Sequence, residues 1–99
     1  MSMTNRIRFH PEAVAEFEAS ALWYSDRSAT AARRFCVAID NALASISLEP
    51  DRFALVDDRH RACSVAEFPF QIVFRCSQNL IFVVAIAHAK RRPGYWRDR

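Results

Sequence analysis

Glycine is almost missing from this chain: Gly94 is the only one in 99 residues. That excludes the glycine-rich phosphate loop and the dinucleotide fingerprint, whose tight turns need several glycines at fixed spacing, and there is no G-x-S-x-G nucleophile elbow. Cysteine is scarce too. Cys36, Cys63 and Cys76 are an odd number at wide spacing with no C-x-x-C pair, so neither a disulfide scaffold nor a zinc knuckle is indicated. Cys36 falls on the apolar stripe of a predicted helix, and Cys63 and Cys76 fall in predicted strands. All three are expected to be buried thiols acting as small hydrophobes in a reducing cytosol. Long apolar runs are absent: the longest, Leu80 to Ala87, is far below the roughly 20 residues of a membrane helix, and Met1 to Arg8 lacks the apolar stretch of a signal peptide. A soluble, cytoplasmic protein with no membrane partner is expected. The paired acids Glu12 and Glu16, and Asp57 and Asp58, have no histidine at metal-ligand spacing, so they read as helix-face and loop charges, with no metal and no cofactor expected.

What remains is a core-forming composition. Hydrophobic residues make up 52% and eight residues are Phe, which rules out a disordered chain. The length suits one domain over residues 1–99, burying roughly 65% of the surface its unfolded form exposes. The formal charge of +3 is too small to imply a polyanion by itself, but its distribution is uneven. Lys90, Arg91, Arg92, Arg97 and Arg99 face only Asp98 within the last ten residues. Such a patch favours a polyanion or an acidic protein segment.

The four prolines fall where elements should end. Ile7 to Phe9 reads as a short strand, and Pro11 suits the first position of a helix, where its missing N–H is no loss, with Glu12 favourable to the helix dipole. Val14, Phe17, Ala21 and Tyr24 recur at helical spacing, so the first helix runs to about Asp26 with that face buried. A second helix, capped by Ser28 or Thr30, carries Phe35, Cys36, Ile39, Leu43 and Ile46 on one stripe until Glu49-Pro50 stops it. Asp51 to His60 reads as a loop that Phe53 pins to the core. Three strands follow: Arg61 to Glu67, Phe70 to Cys76 and, after the Ser77-Gln78-Asn79 turn, Leu80 to His88, whose continuous apolarity predicts a central strand covered on both faces. The expected fold is α+β with order β-α-α-β-β-β, a helical hairpin packed on one face of a mostly antiparallel four-stranded sheet.

Chemistry-bearing residues gather in two places. Arg59, His60 and Arg61 enter the second strand, and His88, Lys90, Arg91 and Arg92 leave the fourth. The second and fourth strands run the same way in a meander, which places these groups at opposite ends of the sheet unless the tail folds back. Metal-independent RNA cleavage needs a group to take the 2′-hydroxyl proton, a group to protonate the leaving oxygen, and cations for the phosphoryl charge; His88, Tyr95 and the arginines are suitable types. The bland alternatives are a hydrogen-bonded strand-end histidine, Tyr95 and Trp96 sealing the edge of a small core, and a solvated basic terminus.

Phe9-His10-Pro11-Glu12-Ala13, Trp23-Tyr24, Phe35 and Ile39, Pro50, Phe68-Pro69-Phe70, Ala85-Ile86-Ala87-His88 and Arg92-Pro93-Gly94-Tyr95-Trp96-Arg97 together resemble the RelE/ParE toxin superfamily, from about Arg8 to Arg99. The resemblance implies the growth-inhibiting toxin of a type II toxin–antitoxin, or plasmid stabilisation, module, neutralised by a small acidic antitoxin whose C-terminal segment folds on binding. It implies two modes of action. A RelE-like mRNA interferase, cutting message on the ribosome, would use His88 or Tyr95 for proton transfer with Arg61 and Arg75 on phosphate. The loop before the second strand offers Arg52, Arg59 and His60 but no lysine, and the Phe-Pro-Phe and Arg-Pro-x-Tyr-Trp segments look more like ParE, an inhibitor of DNA gyrase. In that case Arg59, Lys90, Arg91, Arg92, Tyr95, Trp96 and Arg97 would meet the target or the antitoxin.

Overall fold

In a computed structural model that describes residues 6–99, strand β1 (Arg6–Phe9) leads into helices α1 (Pro11–Arg27) and α2 (Ala29–Leu48). Strands β2 (Arg61–Ser64), β3 (Phe70–Ser77) and β4 (Leu80–His88) follow. The first five residues of the amino-terminal segment considered above lie outside the described residues. No helix among the described residues is long and apolar enough to cross a membrane.

Local chemistry sets the helix ends. His10 caps α1, its Nδ1 accepting the Glu12 N–H at 3.0 Å, while Pro11 takes the first helical position. Ser28 serves both helices: its N–H donates to the Tyr24 carbonyl at 2.8 Å, and its Oγ accepts the Ala31 N–H at 3.2 Å. Of the two cap candidates it is therefore Ser28 that closes the hairpin, while Thr30 accepts a hydrogen bond from Arg33.

The sheet order is β1-β4-β3-β2, with β1 parallel to β4 and the other two pairs antiparallel. The expected α+β architecture is thus what the chain adopts, with β4 central. β2 is shorter than expected, ending at Ser64. The chain turns there because Glu67 has a left-handed φ of 70° and the Val65 and Phe70 main chains bond across the turn. Phe53 does pin the loop, edge-on to Phe74 at 5.9 Å.

A β-bulge divides β4. Val73 pairs with Ala85 and Phe74 with Val83, leaving Val84 as an extra residue. Ile81 and Val83 face the helices, Val84 and Ala85 both face away, and Ile86 faces the helices again. The bulge therefore shifts the alternation by one residue.

Two cores result. The main one joins Ala13, Phe35, Ala38, Ile39 and Ile46 of the helices to Ile72, Phe74, Ile81, Val83 and Ile86 of the sheet, with Phe17, Tyr24, Phe35 and Phe68 in ring contact. The smaller lies on the opposite face, where Trp96 and Tyr95 of the folded-back tail cover Val73, Val84, Ala85 and Ala87. Three burial expectations are corrected. Val14 stays 41% exposed because Ala13 takes the buried position where α1 meets the core. Cys76 is exposed near the end of β3, and Cys36 is half-buried, leaving Cys63 as the fully buried thiol; burial pushes its pKa up.

Candidate functional site

The tail after β4 is a strap anchored at both sides of the sheet by acids from distant parts of the chain. On one side Glu16 of α1 is largely buried. Its carboxylate accepts from the Tyr95 hydroxyl at 2.7 Å, from Arg99 through two bonds of 3.0 Å, and from the Ile86 N–H at 3.0 Å, with Arg91 at 3.8 Å. Arg99 also donates to the Val84 carbonyl at 3.0 Å. β1 pairs with β4 only as far as Val83, so the edge of β4 beyond it would present bare main-chain groups. Glu16 and Arg99 satisfy two of them as a neighbouring strand would.

On the other side Asp57 accepts the Arg59 and His60 N–H groups at 2.9 and 2.6 Å and holds His60 Nδ1 at 2.8 Å. His60 is fully buried and meets the Trp96 ring edge-on at 4.8 Å. Arg97 Nε lies 3.7 Å from Asp57, and Arg59 donates to the Arg97 carbonyl at 3.5 Å. Burial acts to raise the Asp57 carboxyl, but the two N–H donors and the His60 ring outweigh it and bring it down to about 2. Neither acid carries a local sequence signal for this role. Glu16 and Asp57 were expected to be a helix-face and a loop charge, yet they hold the strap.

The expected site residues separate into occupied and free groups. Arg61 donates to the Asp51 and Phe53 carbonyls, at 3.3 and 2.6 Å, fastening the loop. Arg75 stacks over Phe82 at 4.7 Å and donates to the main-chain oxygen of Arg99 at 2.9 Å. Tyr95 is half-buried, and its pKa is raised well above its ordinary value, first by burial and then by the Glu16 hydrogen bond and charge; Arg91 and Arg99 partly offset this. His88 Nδ1 accepts the Lys90 N–H at 3.0 Å and its ring stands edge-on to Phe70 at 4.9 Å. Arg91 lies over the Tyr95 ring at 3.9 Å. Trp96 is buried, and Lys90 and Arg92 are exposed.

A groove of about 560 Å³ brings His88, Arg91, Arg92, Tyr95, Trp96 and Arg97 together over the Phe68-Pro69-Phe70 segment. Arg61 and Arg75 do not line it. His88 pairs with Phe70 at one end of β3, whereas Arg61 pairs with Phe74 four residues further along and Arg75 lies beyond that. The fold-back of the tail unites most of the two basic groups that strand direction alone would separate, with Arg59 reaching Arg97.

A helical hairpin on a mixed four-stranded sheet, with a basic aromatic strap across its second face, defines a small α+β protein with a cationic surface on the strap side. The chain belongs to the ParE toxin family of type II toxin–antitoxin systems (parDE), whose family description matches residues 7–93. No curated protein matches the sequence at a significant level. Membership makes this the toxin half of a toxin–antitoxin pair, with a cognate antitoxin as partner.

Proposed function

We propose that this toxin acts without chemistry of its own, by binding and inhibiting DNA gyrase in the cytoplasm, within a plasmid-stabilising or chromosomal addiction module. The observation that carries this reading is the state of Tyr95. Its hydroxyl is committed to Glu16 and its pKa is raised, which suits a structural ring better than a proton-transfer group at neutral pH. Arg61 and Arg75, the cations a ribonuclease would place on phosphate, bond main-chain carbonyls away from the His88 groove. The surface that remains is a cationic rim of Lys90, Arg92 and parts of Arg91 and Arg97, suited to a large charged target.

The runner-up is ribosome-dependent mRNA cleavage, favoured by His88 and Tyr95 lining one groove with three arginines. Purified toxin assayed on gyrase supercoiling and on a programmed ribosome separates the two. Blocked supercoiling with intact message is expected. Cleaved message that disappears in His88→Ala or Tyr95→Phe would defeat the gyrase reading. The antitoxin we propose is small and acidic, its C-terminal segment ordering on the toxin and pairing acids with the basic surface. Expression of the chain alone should arrest growth, and co-expression with such a partner should restore it.

A further inference from the structure

Between the C-terminal half of α1 and the end of the sheet lies a second cavity, of about 670 Å³, which borrows His88 and Lys90 from the surfaces above but whose Trp23 wall neither mode of action uses. Its size is that of a small-molecule site, roughly 300–1,000 Å³. Trp23, Tyr24 and Phe70 supply aromatic walls, and His88, Lys90 and Ser20 supply polar groups.

Trp23 sets the chemistry. It is 50% exposed, whereas Trp96, the other tryptophan, is 7% exposed and does packing work. The ring is nonetheless held in place, with the Arg27 guanidinium 3.5 Å from its centroid and the Tyr24 ring edge-on at 5.1 Å. A large indole fixed in orientation and left half in water beside a cavity is a stacking platform for a flat ring. Polar groups sit at the far side. Because His88 Nδ1 accepts the Lys90 N–H, the neutral ring carries its proton on Nε2 as a donor. The Lys90 side chain has no acidic partner among the described residues.

Together these features require a ligand that is flat and aromatic at one end and anionic at the other. An apolar ligand would gain nothing from the exposed Lys90 charge or the His88 donor; an acidic peptide would leave the indole face uncovered. The geometry points to a nucleotide-binding pocket, in which a nucleobase stacks on Trp23 and its phosphate pairs with Lys90 beside the His88 Nε2–H. The nucleotide comes either free or as one unit of a single strand. For a strand there is a continuation, since the basic groove shares Pro69, Phe70, His88 and Ala89 with this cavity and leads on to Arg91 and Arg92. The pocket does not depend on gyrase being the target.

The test uses the full chain at low salt, following tryptophan emission and the anisotropy of a fluorescein-labelled oligothymidylate or oligoadenylate. AMP and ATP serve as the free-nucleotide arm and polyglutamate as the acidic-peptide control. Binding should quench the exposed tryptophan. Trp23→Ala should weaken it roughly tenfold and Trp23→Phe should restore most of it, as expected for loss of one stacked base. With the oligonucleotide, Lys90→Ala should reduce the slope of log affinity against log salt by about 0.7, the loss of one phosphate contact on a single strand. Equal Trp23 dependence with AMP or ATP assigns a free nucleotide; binding of the oligonucleotide alone assigns a strand. The proposal is overturned if no nucleotide or oligonucleotide binds, if Trp23→Ala leaves binding unchanged, or if polyglutamate binds as well with the same Trp23 dependence. Trp23 lies outside both anchors of the strap, so thermal melts of its variants should match the parent. Supercoiling assays on the same variants report separately on the gyrase reading.

Discussion

Two carboxylates bear more of this structure than their positions suggest. Glu16 answers a hydroxyl, an arginine and a strand N–H at once, so Glu16→Ala leaves Arg99 and the Ile86 N–H short of an acceptor. Breaking a largely buried pair from one side costs about 3 kcal/mol. Chemical denaturation should show a loss of that size, with Tyr95 fluorescence or side-chain NMR reporting a loosened tail; an unchanged midpoint would mean the strap is held elsewhere. Asp57 gives a pH signature. Its folded pKa of about 2 lies below the unfolded value of roughly 3.9, so its contribution is fully present above about pH 4 and is lost as pH falls through about 2. The stability gap between parent and Asp57→Asn should therefore close over that interval. A gap that stays constant would show that the carboxylate charge is not what holds His60. Gly94 sits at a φ of +77°, where an L side chain costs about 1–2 kcal/mol, and a Cβ there would come 2.8 Å from the Arg97 guanidinium. Gly94→Ala should lower the melting temperature and disturb the Arg97–Asp57 approach.

At the level of elements, the hairpin depends on one shared residue. Ser28→Ala removes the cap of α2 at the point where α1 ends, and about 1 kcal/mol should be lost in equilibrium unfolding. The elements themselves were legible in the sequence because their signals are local: prolines at element ends, three- and four-residue apolar steps along α1 and α2, and an unbroken apolar run for β4. Strand order was less accessible. The parallel β1–β4 pairing joins Arg6 to Leu80 across more than 70 residues, and no local pattern encodes such a register. β2 read too long because Val65 is apolar and buried like a strand residue, while the turn at Glu67 comes from backbone conformation rather than composition. The site was half legible. The basic residues and aromatics of the tail announced a surface, but Glu16, Asp57 and Trp23 gain meaning only from what the fold sets against them.

For the molecule as a whole, the tail is a structural layer as well as the proposed binding surface. Removing residues 91–99 would strip Trp96 and Tyr95 from Val73, Val84, Ala85 and Ala87 and leave an apolar sheet face in water. Such a truncated chain is expected to bind a hydrophobic dye such as ANS and to associate at micromolar concentration. If it instead stays monomeric and dye-silent, the second core adds little to the fold. Loss of toxicity on tail deletion therefore says nothing by itself about target contact, and the exposed Lys90 and Arg92, which support no core, are the sounder probes. Lys90→Ala with Arg92→Ala should leave the melt unchanged while weakening the proposed gyrase inhibition, by a margin that narrows as ionic strength is raised.

The extra residue in β4 acts as a phase shifter. With Val84 in place, two successive residues lie on the tail's face and the strand then resumes alternation, so that Ile86 returns to the helices and His88 emerges on the side of Phe70 and Trp23; with one residue deleted there, the pairing closes up and Ile86 and His88 keep the faces they hold. A single-codon deletion at this point would thus straighten the strand and thin the second core by one residue while leaving everything downstream of it on its own side. Relatives in which that residue comes and goes would be expected to present their strand-end histidine or its replacement to the same side of the sheet, whereas a length change in β4 away from the bulge would swap it.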